Sequence, residues 1–216
     1  MHPSIRHLLF RYWLHPREVV REGLDHSSRT REGILAVLYG LALMMNRASD
    51  NSWGEILTLP EILLRVVAYG IPLGLFVVTA VSGAMRLARK VVNGTGSFWE
   101  NVTAVAFATV PATEALLMIH ITMTIFLGRD AYAASGTKEL SYLPLNPGIV
   151  VTTALLIIFV PIILLFIPWT IALTAKSIGV ANRVDGWRGL GLAVTGLLGM
   201  MLVGLGIEGI KRLFGI

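Results

Sequence analysis

Five long apolar runs, separated by short polar segments that carry most of the arginines, dominate this chain. With their flanks they cover residues 31–47, 64–86, 98–128, 148–175 and 187–208. A helix needs about 20 residues to cross the roughly 30 Å hydrocarbon layer, so each run predicts a transmembrane helix. The first is the shortest: the apolar part, residues 33–45, reaches only about 20 Å, and Arg31 and Arg47 would have to snorkel towards the headgroups. The second contains Gly70-Ile71-Pro72-Leu73-Gly74, a small-residue spacing that lets helices approach closely, either within the monomer or between two copies. The fourth carries Pro161 and Pro168, which predicts a kinked helix meeting the interface at Trp169. The fifth has glycines at 189, 191, 196, 199, 204 and 206, which predicts a helix buried among its neighbours, with Glu208 at its far end.

The third run is the most informative. Ser97-Phe98-Trp99-Glu100 follows a Gly-rich turn, Asn93 to Gly96, and reads as a capping box that starts a helix. From residue 101 to 128 the only charge is Glu114, and Pro111 predicts a kink. At about 100° per residue, Thr109, Thr113, His120 and Thr124 fall within one sector of about 60°, with Glu114 roughly a quarter turn away. One side of this span is therefore polar and should face protein or water.

Ahead of the spans, Ile5, Leu8, Leu9, Tyr12 and Trp13 fall on one helical face, with Arg6, His7 and Arg11 opposite. His15-Pro16 ends this segment, and residues 16–24 predict a second short helix with proline at its first position. There Val19, Val20 and Leu24 oppose Arg17, Glu18, Arg21 and Glu22. Both segments are too short and too charged to span. They either lie in the interface of an anionic leaflet or pack on the cytoplasmic face of the membrane domain. The expected fold is all-α: an amphipathic N-terminal segment, residues 1–30, and a bundle of five transmembrane helices, residues 31–216.

Composition agrees with this pattern. Of 216 residues, 55% are hydrophobic and 14% charged, with a mean hydropathy of +0.72, too apolar for an ordinary soluble domain. The net charge of +5 raises nucleic acid as a partner, but the arginines gather at span ends without interleaved aromatics, so the charge reads as topology. Counting basic residues on alternate sides of five spans gives 12 against 6, which places the N-terminus in the cytoplasm and the C-terminus outside. No cleavable signal is visible, so the N-terminus should be retained. Arginine supplies 14 of the 18 basic residues, which fits a GC-rich prokaryotic genome and hence a cytoplasmic (inner) membrane. With no cysteine, disulfides, thiolate metal sites and catalytic thiols are excluded.

Little in the chain resembles catalytic chemistry. The Asn-Gly-Thr-Gly-Ser turn lacks the Gly-Lys-Ser/Thr ending that cradles phosphate, and no His-Glu-x-x-His or Gly-x-Ser-x-Gly occurs. His2, His7, His15 and His26 have no helical metal-ligand spacing, so no metal or cofactor is expected. An ionisable group in hydrocarbon costs about 2.5–3.5 kcal/mol and by default marks a pathway, a partner or a site. The candidate intramembrane polar site is accordingly Glu114 and His120 with Thr109, Thr113 and Thr124; the alternative is hydrogen bonding inside the bundle near Pro111. The candidate cytoplasmic surface is basic: Arg6, Arg11, Arg17 and Arg21, then Arg89 and Lys90, then Arg183 and Arg188. Its partners would be anionic lipid headgroups or a protein; homo-oligomers remain open.

Several features together resemble a known family. These are Pro16-Arg17-Glu18 followed by Val19, Val20 and Arg21, the Gly-x-Gly-Ser-Phe opening of the third span, Val110-Pro111 within it, and Ile167-Pro168-Trp169 leading to a basic loop. In order and spacing they are similar to the prokaryotic branch of the Yip (Ypt-interacting protein) membrane-domain family, over nearly the whole chain. The resemblance implies a non-enzymatic membrane scaffold or adaptor; eukaryotic members engage Rab-type GTPases and shape vesicle traffic. Pro16, Arg17, Ser97, Phe98, Pro111 and Trp169 are the family-like positions, and none is a catalytic group. The alternative function is a small transporter or lipid-translocating protein that uses the polar side of the third span.

Overall fold

The computed structural model describes residues 11–133 and 166–214, which are helical with short connecting turns and contain no strand. Arg6, Pro161 and most of the fourth predicted span lie outside the described residues. The helices are α1 (11–14), α2 (Pro16–Asp25), α3 (Arg29–Asp50), α4 (Leu59–Ala88), α5 (Phe98–Ala108), α6 (Val110–Leu127), α7 (166–182) and α8 (Gly186–Phe214). They form two compact units. The first comprises Met1–Ala36, Leu75–Val110 and Ile171–Ile216; the second comprises Val37–Gly74 and Pro111–Thr170.

In the first unit, α2 starts at Pro16, as predicted, because proline has no N–H to leave unpaired at that position. Its apolar side, Val19 and Val20, is fully buried in a core with Tyr12, Phe107, Val102, Leu173, Ile178 and Leu192. Each of those valines is worth about 1.5–3 kcal/mol of burial. The described N-terminal helices therefore pack on the protein itself. Tyr12 stacks on Phe107 at 5.9 Å and donates its hydroxyl to Ser177 at 2.7 Å, while Ser177 donates to the Leu173 carbonyl. Burial pushes the Tyr12 hydroxyl well above the usual tyrosine range, against the opposing effect of its bond to Ser177. Gly23 is needed for the close crossing, since a Cβ there would come within 2.7 Å of the Phe107 ring.

The second unit joins the C-terminal half of α3 to the N-terminal half of α4. Met44, Met45, Ala48, Ile62 and Val66 pack with Ala131 and Tyr132. The Gly70 to Gly74 spacing works inside the chain: a Cβ on Gly40 of α3 would overlap the Gly70 carbonyl and stand 2.6 Å from the Gly74 Cα. α4 begins five residues before the predicted span because Thr58 and Glu61 cap it, the Thr58 N–H and hydroxyl both donating to the glutamate at 2.8 Å.

Three expectations are corrected. Arg31 does not snorkel: its side chain is 12% exposed, bonded to the Gly23 carbonyl at 2.8 Å and to Glu32 at 3.0 Å, and it lies 5.3 Å from the Phe107 ring centre. This local pairing satisfies the charge, and α3 extends to 22 residues, about 33 Å, without help from it. The third predicted span is interrupted where Pro111 led one to expect it, at Thr109 between α5 and α6, because the proline ring and missing N–H disrupt the turn before it. α7 runs past the expected end at 175 to residue 182, since Ser177, Ile178 and Ala181 are buried and packing sustains the helix. The described part of α8 is only half buried: Gly189, Leu192, Ala193 and Gly196 form a packed stripe, while Val194, Leu197 and Leu198 are exposed.

Two helical stretches among the described residues, Leu59–Val92 and Phe98–Tyr132, are long and apolar enough to cross a membrane. Only 28% and 50% of their apolar windows are buried, so much of that surface, including Leu64, Phe76, Met118, Ile125 and Phe126, is turned outwards. A soluble core helix would be covered.

Candidate functional site

The polar residues of the third predicted span are divided by the helix break. Thr109 ends α5, where its hydroxyl donates to the Ala106 carbonyl at 2.8 Å. On α6, Thr113 and His120 are 6% and 5% exposed, with Glu114 and Thr124 half-buried. His120 stacks on Tyr132 with ring centres 6.3 Å apart and planes 9° from parallel. The Thr124 hydroxyl donates to the His120 carbonyl at 2.6 Å and accepts from the Tyr132 hydroxyl at 2.7 Å. His120 is thus fixed by a packed aromatic that belongs to the short turn after α6, a contact no helical periodicity could reveal.

The predicted basic residues fare unequally. Arg11 is taken up by Glu22 at 3.1 Å and Glu18 at 3.6 Å. Arg89 donates to the Gly96 carbonyl at 2.9 Å, and Arg188 lies 3.9 Å from Asp185. Lys90 stands on a short 3-10 turn, Arg89–Val92. Arg17, Arg21 and Arg183 do come together, with Lys176, around a cleft of about 740 Å³ within the first unit. Lys176 reaches the cleft from the extension of α7.

Local structure explains the convergence. Arg17 and Arg21 are one turn apart on the exposed side of α2, whose other side is held in the core. Arg183 follows α7 in the left-handed region, φ 55°. Its N–H donates to the Val180 carbonyl and the Val184 N–H to the Gly179 carbonyl, the pairing that usually closes a helix with glycine. The side chain then reaches Glu100 at 2.8 Å and Thr95 at 3.3 Å. Glu100 serves twice, because it also completes the predicted capping box by accepting from the Ser97 N–H at 2.6 Å. Asp185 caps α8 through the Arg188 N–H at 2.8 Å.

A buried amide pair, which sequence reasoning missed, fixes this geometry. Asn182 donates to Asn101 Oδ1 at 2.7 Å and to the Ile178 carbonyl at 3.0 Å, and Asn101 donates to the Ser97 carbonyl at 2.9 Å. Both asparagines are fully buried. The Gly-x-Gly turn lies against Asn182: the Thr95 N–H donates to its carbonyl at 3.1 Å, and a Cβ at Gly96 would come within 2.6 Å of Asn182 Oδ1. These glycines permit close backbone approach. Glu32 was also missed; 5% exposed, it pairs with Arg31 and accepts from Thr103 at 3.2 Å. Nothing local in the sequence marks such long-range partners.

No group of histidine, aspartate and glutamate suited to a metal ion occurs among the described residues. No curated protein and no solved structure matches the chain. The family model for the Yip1 domain, however, matches residues 10–207, from α1 into α8. That match, with two outward-facing apolar stretches, identifies a membrane protein. The chain belongs to the Yip1 domain family.

Proposed function

We propose that this protein is a non-enzymatic scaffold or adaptor of a prokaryotic cytoplasmic membrane. The chain crosses five times, near residues 31–47, 64–86, 98–128, 148–175 and 187–208, with residues 1–30 on the cytoplasmic side and the C-terminus outside. The working surface is the basic cleft on the cytoplasmic side. The observation that carries this reading is the convergence of Arg17, Arg21, Lys176 and Arg183 from separate elements onto one cleft. Arg17→Glu/Arg21→Glu should abolish recovery of partner molecules in pull-downs from membranes while leaving expression unchanged. Recovery equal to wild type would remove the adaptor reading.

A second reading, a small transporter or lipid-translocating protein, is favoured by the inward burial of Thr113 and His120 beside Glu114. It predicts that Glu114→Gln cripples proton-coupled flux or lipid scrambling in proteoliposomes. Equal flux in wild type and variant would discard it.

A further inference from the structure

We propose that the cleft between α2, the end of α7 and the start of α8 binds the phosphate of an anionic lipid headgroup, a deepening that rests on the cytoplasmic adaptor reading above. Four cations line it, and Arg17 and Arg21 have no ion-pair partner among the described residues. Two like charges one helical turn apart repel each other, and a bound anion would relieve that repulsion. An arginine pair presents the forked donors that suit phosphate oxygens. The volume of about 740 Å³ suits a glycerophosphate group and its substituent.

Arg183 supplies an independent observation. A left-handed position favours glycine, which would close α7 with the same two backbone bonds and less strain, yet arginine stands there. What it secures is a guanidinium in the cleft wall, oriented by Glu100 and Thr95.

The surroundings point to a lipid and not to a soluble phosphate. Trp187, next to the lining residue Gly186, is 83% exposed, and Trp99, next to Glu100, is 52% exposed with Arg29 stacked 4.8 Å above it. Exposed tryptophans with neighbouring cations mark headgroup depth. An acidic peptide fits less well, because Asp25, Glu100 and Asp185 also line the cleft and would repel an extended run of carboxylates, whereas one compact phosphate is held at Arg17 and Arg21.

The test uses the purified full chain in mixed micelles with equal mole fractions of dioleoyl phosphatidic acid and dioleoyl phosphatidylcholine, reading retained lipid by native mass spectrometry. Wild type should retain phosphatidic acid at least about tenfold over phosphatidylcholine, and Arg17→Gln/Arg21→Gln should lose about that factor. Arg47→Gln/Arg65→Gln, which removes equal charge from residues that do not line the cleft, should retain wild-type preference. Arg183→Gly relieves the backbone, so it should unfold at the wild-type temperature or above and still lose phosphatidic acid, separating binding from folding. Equal retention of the two lipids, or an equal loss in Arg47→Gln/Arg65→Gln, overturns the proposal. So does displacement of the lipid by millimolar inorganic phosphate, which would make the ligand soluble, or by poly-glutamate alone, which would make it an acidic peptide. If lipid preference is absent while Arg17→Glu/Arg21→Glu still abolishes partner recovery, the headgroup site falls and the adaptor reading stands.

Discussion

Gly40→Val should leave little folded protein, and whatever can be purified should unfold about 6–12 °C below wild type by tryptophan fluorescence, reflecting a cost of about 3 kcal/mol or more. The reason is that the atoms in the way are backbone. A Cβ at Gly40 overlaps the Gly70 carbonyl and approaches the Gly74 Cα to 2.6 Å, so no side-chain rotamer change makes room. α3 and α4 would have to part, stripping contacts from Leu41, Met44, Ile62 and Val66 along the same seam. Gly33→Ala is the matched control on the same helix. Nothing lies within 4 Å of a Cβ there, so it should keep or raise stability through the better helix propensity of alanine. A Gly40→Val protein as stable as wild type would show that this helix contact is misplaced.

Asn182→Ala should be the second severe change, costing about 2–3 kcal/mol, or about 4–12 °C. It leaves Asn101 Oδ1 without its donor in a site where both side chains are fully buried. It also opens a space beneath Gly94 and Gly96, which lie against the asparagine side chain. The turn that holds Thr95 and the start of α5 then loosens, and with it the orientation of Arg183. Asn101→Leu/Asn182→Leu, which removes donor and acceptor together, should cost less than the two single substitutions summed. Strict additivity in thermal unfolding would mean that the two amides do not act as a pair.

What could be read from the sequence was local. The start of α2 at Pro16, its buried valines, the Ser97 to Glu100 capping box and the Gly70 to Gly74 packing surface depend on residues within a turn or two of each other, and periodicity finds them. Thr58 to Glu61 has the same capping pattern and could have been read the same way. What depended on distant partners could not be read. Arg31 was assigned to the headgroups because nothing nearby showed that Phe107 and the Gly23 carbonyl would enclose it. α7 was ended at Ala175 because Lys176 broke the apolar run, whereas burial of Ser177, Ile178 and Ala181 carries the helix onward. The polar sector from Thr109 to Thr124 assumed one continuous helix, and the break at Thr109 separates its first member from the rest. Of the basic residues, charge and position nominated more than the cleft uses. Only the tertiary path shows that Arg11 is engaged by Glu18 and Glu22 while Arg17, Arg21 and Arg183 share a cavity.

The orientation of that cavity is the claim on which the functional account depends, and the absence of native cysteine makes it directly measurable. Single substitutions Asp25→Cys, Lys90→Cys, Glu55→Cys and Asp130→Cys can be probed with a membrane-impermeant maleimide in right-side-out and inside-out vesicles. The account predicts that Asp25→Cys and Lys90→Cys label only in inside-out vesicles, and Glu55→Cys and Asp130→Cys only in right-side-out ones. Labelling of Asp25→Cys from the outside, or of all four positions from one side, would contradict it.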